Sequence, residues 1–216
     1  MNKKNNLMKK IKKNMVTIFL FMFAFIMIFS FTYSIDNSKE YKLLPENNVV
    51  SKNKREITMV FWLGCPHCHQ LNKELKDFAK KERYRIKYLP VSMFTSRWEF
   101  DAKVTLFAMS KFKTDNEKNE IVNKLFDLYS KTNNPSREDV MDLLVKELKD
   151  KESIQSLTEQ FEDFPDEKLK ELNDFYKDLK INSVPELIIE GNYITNNKKI
   201  KNNQDYFKIV KELTKK

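Results

Sequence analysis

The run from Ile57 to Leu63 is nearly continuous in apolar residues and is broken at once by Gly64, Cys65 and Pro66. Strict alternation would mark a strand with one wet face. An unbroken run this short is the pattern of a strand buried on both faces, which puts it centrally in a sheet. Pro66 fits the first turn of a helix, where its missing N–H would have no partner anyway. Leu71, Leu75, Phe78 and Ala79 follow at helical spacing, so a helix is expected from Pro66 to about Lys81. Tyr84, Ile86 and Tyr88 then alternate with Arg85 and Lys87 as a second strand. Strand, helix and strand within roughly 35 residues make a βαβ unit, which commits the chain to an α/β fold.

Downstream the period changes. From about Ser96 to Lys180 it is helical throughout, with apolar stripes such as Leu125, Leu128 and Tyr129, or Leu169, Leu172, Phe175 and Tyr176. Ser96 with Glu99 and Ser136 with Asp139 have capping-box spacing, which predicts helix starts there. Glu186 to Glu190 and Tyr193 to Thr195 flank Gly191-Asn192, read as a two-residue hairpin with a type II′ turn. A closing helix carries Tyr206, Val210 and Leu213, and Tyr41, Leu43 and Leu44 offer a short edge strand. The expected organisation is a leader over 1–35, a linker over 36–54, a first α/β part over 55–95, a helical insertion over 96–180 and a second α/β part over 181–216.

No charged residue occurs from Met15 to Ile35, and Lys3, Lys4, Lys9, Lys10, Lys12 and Lys13 precede that stretch. A basic region and then an apolar span direct a chain to and through a membrane, which predicts an extracytoplasmic, periplasmic-type location for the domain beyond residue 35. Thr32, Tyr33 and Ser34 present small residues for a cut before Ile35, while the span is also long enough to stay as an anchor. Cleaved signal and retained anchor both fit, and both put the domain where disulfides persist. Those six lysines also account for most of the formal charge of +9. The Lys/Asn-rich stretches Asn47–Lys54 and Asn196–Asn203 carry no interleaved aromatics to stack bases, so nucleic acid is not an expected partner.

Both cysteines and both histidines of the chain lie in Cys65-Pro66-His67-Cys68-His69. Two thiols three positions apart cannot staple a fold, which leaves a reactive pair or, as the bland alternative, a pair of inert buried thiols without an electropositive helix start. With Pro66 at the first helical position, Cys65 becomes the N-cap, where unpaired N–H groups and the positive end of the helix dipole favour thiolate over thiol. The dipole alone contributes roughly 0.3–1 kcal/mol, against about 1.4 kcal/mol per pKa unit. A larger depression needs direct N–H bonds to sulfur and a cationic His67. Cys68, one turn on, can close a disulfide with Cys65 and is expected to be the more buried. Gly64 lets the chain turn sharply and lets another chain approach the sulfur. Cys65, Cys68 and His69 also spell the attachment pattern of a c-type haem, so a haem electron carrier is a second reading. A single-metal site is disfavoured, because residues 65 to 69 cannot converge as a tetrahedron from one helical turn. A tethered binding protein that does no redox chemistry is a third reading, which the titration of Cys65 would separate from the first.

Phe61, Trp62 and Cys65-Pro66-His67-Cys68, with the amphipathic helix after them, resemble the active site of the DsbA family of thiol:disulfide oxidases. Ser183-Val184-Pro185 before a strand resembles that family's cis-proline loop, and 96–180 resembles its inserted helical domain. The likeness spans about residues 55 to 216. It implies a thioredoxin fold with a helical domain inserted between the βαβ unit and the cis-proline hairpin. It also implies that Cys65 is the attacked sulfur, that Cys68 resolves, and that Pro66 and His67 tune the pair. Val184 and Pro185 would bind substrate backbone. The redox-active disulfide would serve without cofactor or metal. The implied partners are reduced secreted proteins and a DsbB-type membrane oxidase, and a monomer is expected; a reductase or isomerase is the alternative within the class. One departure stands out: the superfamily often has a buried acid six residues before the first cysteine, and here that residue is Met59.

Overall fold

The computed structural model describes residues 40–45, 53–92, 95–149 and 151–215; the apolar segment over 15–35 lies outside them. Among the described residues no helix is long and apolar enough to cross a membrane.

The apolar run forms β2 (Glu56–Phe61), buried at every position, and it is central as its composition requires. It pairs in parallel with β3 (Arg85–Pro90), Met59 opposite Tyr88, and antiparallel with β4 (Glu186–Ile189), Met59 opposite Leu187. The helix between β2 and β3, α1, runs from Pro66 to Glu82 and ends on Arg83 in the left-handed region with φ 60°. β5 (Tyr193–Thr195) follows β4, and β1 (Tyr41–Leu43) closes that edge, giving the order β1-β5-β4-β2-β3.

Five helices separate β3 from β4: α2 (Ser96–Ser110), α3 (Asp115–Lys131), α4 (Arg137–Glu147), α5 (Ile154–Glu162) and α6 (Glu167–Asp178). Ser136 and Asp139 form the expected capping box. The start of α2 differs: Thr95, not Ser96, is its N-cap, its hydroxyl accepting from the Trp98 N–H at 3.3 Å. A further capping box, Thr114 with Glu117, opens α3. The final helix, α7 (Asn203–Thr214), packs back against α1 and β4.

The hairpin also differs from expectation. Asn192 N–H bonds to the Ile189 carbonyl at 3.0 Å, so the turn is centred on Glu190 and Gly191. Both have positive φ, 49° and 68°, which makes the turn type I′ instead of II′. Ile189 pairs with Tyr193, and this register moves the turn one residue earlier than the glycine suggested.

The sheet buries both faces. Ile57, Met59, Phe61, Leu187 and Ile189 join Leu71 and Leu75 of α1, Val210 of α7 and Leu125 and Phe126 of α3 in one core. Val60, Ile188 and Ile194 meet Tyr176, Leu179 and Ile181 on the other side. The insertion does not have a core of its own: Val104, Phe107, Val140, Met141, Leu144 and Leu157 are continuous with the first cluster. At roughly 1.5–3 kcal/mol per fully buried large apolar side chain, this shared core ties the helices to the sheet.

Candidate active site

Every strand-to-helix junction must satisfy the first N–H groups of the helix. Here Cys65 does so. Its backbone is extended (φ −89°, ψ 113°), Pro66 takes the first turn, and Sγ accepts the N–H of Cys68 at 3.3 Å. The Cys65 N–H bonds to the Trp62 carbonyl at 3.1 Å, which closes the turn through Leu63 and Gly64. Cys65 is 8% exposed and Cys68 is fully buried, and both are free thiols.

This geometry separates the two thiols chemically. The thiol of Cys68, bonding to the Cys65 sulfur, is the largest influence favouring the Cys65 thiolate. Burial opposes it, and the N–H groups of Cys68 and His67 add to it, bringing the Cys65 pKa from 9.0 down to about 7. Burial pushes the Cys68 thiol well above its usual range, and its bond to Cys65 and the nearby Cys65 charge push the same way. The pair is therefore ready as one thiolate and one thiol. His67 contributes to the lowering through its main chain, while its side chain stands exposed beside Pro66; the cationic imidazole expected from the sequence is not among the groups acting on the sulfur.

Far along the chain, the Val184–Pro185 bond is cis and Pro185 is buried with Val184 half-buried, as the resemblance implied for that loop. Tyr206 of α7 ties this loop to the cysteines: its hydroxyl donates to the Pro185 carbonyl at 2.9 Å. Burial raises the Tyr206 pKa, and the charges of Glu186, Cys68 and Cys65 raise it further, so its hydroxyl sits within electrostatic reach of both sulfurs. Glu186, next to Pro185, is buried and accepts from the Thr195 hydroxyl at 2.6 Å and the Asn197 N–H at 3.1 Å. Burial raises its carboxyl to about 7.

Met59 is fully buried between Tyr88 and Leu187, so no carboxylate stands at that place in the strand. Glu56, three residues earlier, lies at the other end of β2 and is engaged by Asn53 at 3.2 Å, Lys87 at 3.4 Å and Arg85 at 3.7 Å. His69 points from α1 toward α3, stacked on Phe126 with Nε2 4.0 Å from Asp127 Oδ1. The full burial of Cys68 argues against the haem reading, since both thiols would have to reach a haem edge outside the fold.

A cavity of about 430 Å³ opens beside Cys65, walled by Gly64, Pro66, His69, Lys73 and, from α3, Tyr129. The Trp62 ring lies against Gly64 in the same turn. It stacks on Trp98 (4.5 Å, 11°) and its Nε1–H donates to Asp101 Oδ2 at 2.6 Å. Tyr206, Asp101 and Tyr129 were not singled out from the sequence as site residues. Asp101 did leave a signal, a carboxylate at a position where α2 buries Ala102, Thr105 and Ala108. Tyr206 left none beyond its place on an apolar stripe.

A dithiol at a helix start, one sulfur lining a cavity and stabilised as thiolate and the other fully buried, with a cis-proline loop linked to it through Tyr206, defines a thiol–disulfide exchange site of the thioredoxin type. A thioredoxin family model (Thioredoxin_4) matches residues 51–208, and the chain belongs to that family. No curated protein matches the sequence. Among solved structures, the fold is similar to the E82I variant of Pseudomonas aeruginosa DsbA, at 18% identity and TM-score 0.64, covering 82% of this chain and 95% of that one. It is likewise similar to the oxidoreductase DsbA of Xylella fastidiosa (14%, TM-score 0.62, 82% and 94%). SrgA of Salmonella enterica serovar Typhimurium is a third (14%, TM-score 0.61, 82% and 100%). The fold is thus the DsbA form of the thioredoxin fold, with helices inserted between β3 and β4.

Proposed function

We propose that the chain is an extracytoplasmic thiol:disulfide oxidoreductase acting as an oxidase, which donates a Cys65–Cys68 disulfide to secreted proteins as they fold. The observation that carries this reading is the division of labour at the helix start: Cys65 favoured as thiolate in the wall of a cavity, Cys68 fully buried and held as thiol. Stabilising the Cys65 thiolate stabilises the reduced pair, and a disulfide whose reduced form is stabilised is a better oxidant.

The reaction balances as two exchanges. A substrate thiolate attacks Cys65 Sγ, a substrate–Cys65 disulfide forms, the Cys65–Cys68 bond breaks, and Cys68 takes up a proton. A second substrate thiolate attacks the substrate sulfur of that mixed disulfide and expels Cys65 as its favoured thiolate. Two electrons pass into the pair and the substrate gains one disulfide. Val184 and Pro185 would receive the substrate backbone as an added strand. No cofactor beyond the disulfide is required. Reoxidation would fall to a DsbB-type membrane oxidase, and the apolar segment over 15–35, cleaved or retained, would deliver the domain to the compartment where such a partner works.

One observation favours a second reading, a reductase or isomerase. The Cys65 thiolate is favoured only moderately, with its pKa lowered to about 7, nearer to thioredoxin's about 7 than to DsbA's ~3.5. The reduction potential decides between them. Equilibration of the full chain with glutathione buffers is expected to give a value well above thioredoxin's ≈ −270 mV, toward DsbA's ≈ −120 mV; a value at thioredoxin's end rejects the oxidase.

A further inference from the structure

Asp101 is 1% exposed, and a carboxylate so buried has to be held by donors. Trp62 Nε1–H donates to Oδ2 at 2.6 Å, the Tyr129 hydroxyl donates to Oδ1 at 2.6 Å, and Arg97 Nε lies 2.9 Å from Oδ1. Arg97 is itself braced, donating to the Tyr129 hydroxyl at 3.3 Å and the Pro135 carbonyl at 3.1 Å. One carboxylate thus joins the end of β2 to α2 and α3.

Both of its aromatic partners border Cys65. The Trp62 ring lies over Gly64, where a Cβ would come within 2.8 Å of Cε2 and Cη2, and the Trp62 carbonyl holds the Cys65 N–H. Tyr129 lines the cavity beside Cys65. Asp101 is not among the groups acting on the charge of Cys65 or Cys68, and neither sulfur acts on Asp101. The route from Asp101 to the sulfur that the structure shows runs through the two rings.

We propose that Asp101 is a positioning residue for thiol–disulfide exchange: by holding Trp62 against Gly64 and Tyr129 in the cavity wall, it fixes the cleft that a thiol carried on a polypeptide must enter to reach Cys65. A small free thiol needs only the sulfur and not the walls, so Asp101 separates the two substrate classes. The inference rests on exchange at Cys65 in either direction, not on the oxidase reading.

The test compares the full-length oxidised chain with its Asp101→Leu, Asp101→Asn and Tyr129→Phe variants. Each is reduced by a cysteine-containing peptide and by dithiothreitol, and in the reduced chains Cys65 is titrated by iodoacetamide alkylation against pH. Asp101→Leu is expected to slow the peptide about tenfold or more, the scale of a misplaced reacting group, and to leave the dithiothreitol rate and the Cys65 titration within about twofold. Asp101→Asn, which keeps an acceptor oxygen, recovers part of the loss; Tyr129→Phe shows a smaller loss of the same kind. Trp62 fluorescence, isolated in a Trp98→Phe background, shifts to the red in the leucine variant and much less in the asparagine variant. An unchanged peptide rate, an equal loss with both thiols, or a displaced Cys65 titration overturns the proposal. If Asp101→Leu does not fold, the other two variants decide it by the same criteria. A wild-type chain inert toward both thiols removes the exchange reading itself, and this inference with it.

Discussion

Cys68→Ala isolates the source of the Cys65 thiolate's stability. The largest contribution is the Cys68 thiol; the N–H groups of Cys68 and His67 come after, and burial works against all three. Alanine removes the S–H donor and leaves both N–H groups, including the Cys68 N–H at 3.3 Å, in place. If the thiol supplies about half of the lowering from 9.0 to about 7, the midpoint moves up by about one unit, or about 1.4 kcal/mol. At pH 7 the thiolate fraction then falls from roughly one half to roughly one tenth, and alkylation slows about fivefold, since the thiolate is the nucleophile. The assay is the rate of iodoacetamide modification from pH 5 to 10, fitted to a single ionisation. Cys68→Ser retains a hydroxyl donor and should fall between wild type and alanine. A midpoint unchanged in Cys68→Ala would refute the reasoning and assign the stabilisation to the helix N–H groups alone.

Cys65→Ser should abolish oxidation of reduced peptides while the fold persists; retained turnover would remove Cys65 from its role. Gly64→Ala drives a methyl into the Trp62 ring, which Trp98 and Asp101 hold from the other sides, so a loss of about 1–3 kcal/mol is expected by urea denaturation. Glu186 has its folded-state pKa raised by burial from 4.5 to about 7, so the folded chain binds a proton that the unfolded chain has lost between those values. Its contribution to stability is therefore present below about pH 4.5 and disappears as pH rises through about 7, by up to about 3 kcal/mol. Glu186→Gln, measured by urea midpoints at pH 5 and pH 8, should flatten that fall and be the more stable form at pH 8. Tyr206→Phe deletes the bond to the Pro185 carbonyl and should cost about 1 kcal/mol in stability, with peptide oxidation slowed more than dithiothreitol oxidation.

The parts of the molecule that obey a local period are legible in the sequence. β2 and α1 follow from an apolar run and an i, i+4 stripe meeting at Gly64 and Pro66, and the cysteines sit at that seam. Local chemistry also set limits. Thr95 and Ser96 are both competent N-caps by residue type, and it is Thr95 that takes extended backbone and accepts the Trp98 N–H. The hairpin turn moved because the pairing of Ile189 with Tyr193 fixed which residue takes positive φ before Gly191. What no period encodes is the meeting of side chains far apart in sequence. Trp62 and Asp101 are joined by one hydrogen bond, as are Pro185 and Tyr206, and each pair needs the sheet and insertion to be assembled first.

The antiparallel pairing of β4 with β2 spans everything from α1 to α6, so those five inserted helices sit inside one long loop of the sheet. Closing a loop grows more expensive only with the logarithm of its length, about 0.6 kcal/mol for each doubling. Lengthening or trimming the insertion should therefore barely change the equilibrium for pairing Met59 with Leu187, provided the helices keep their shared core. The burden falls on time instead: the two halves of the reactive site must find each other across the whole insertion, and non-local pairings of that kind set the pace of folding. A chain caught before that pairing would already carry the Cys65-Pro66-His67-Cys68 turn, reactive at sulfur and without the wall that selects its substrate.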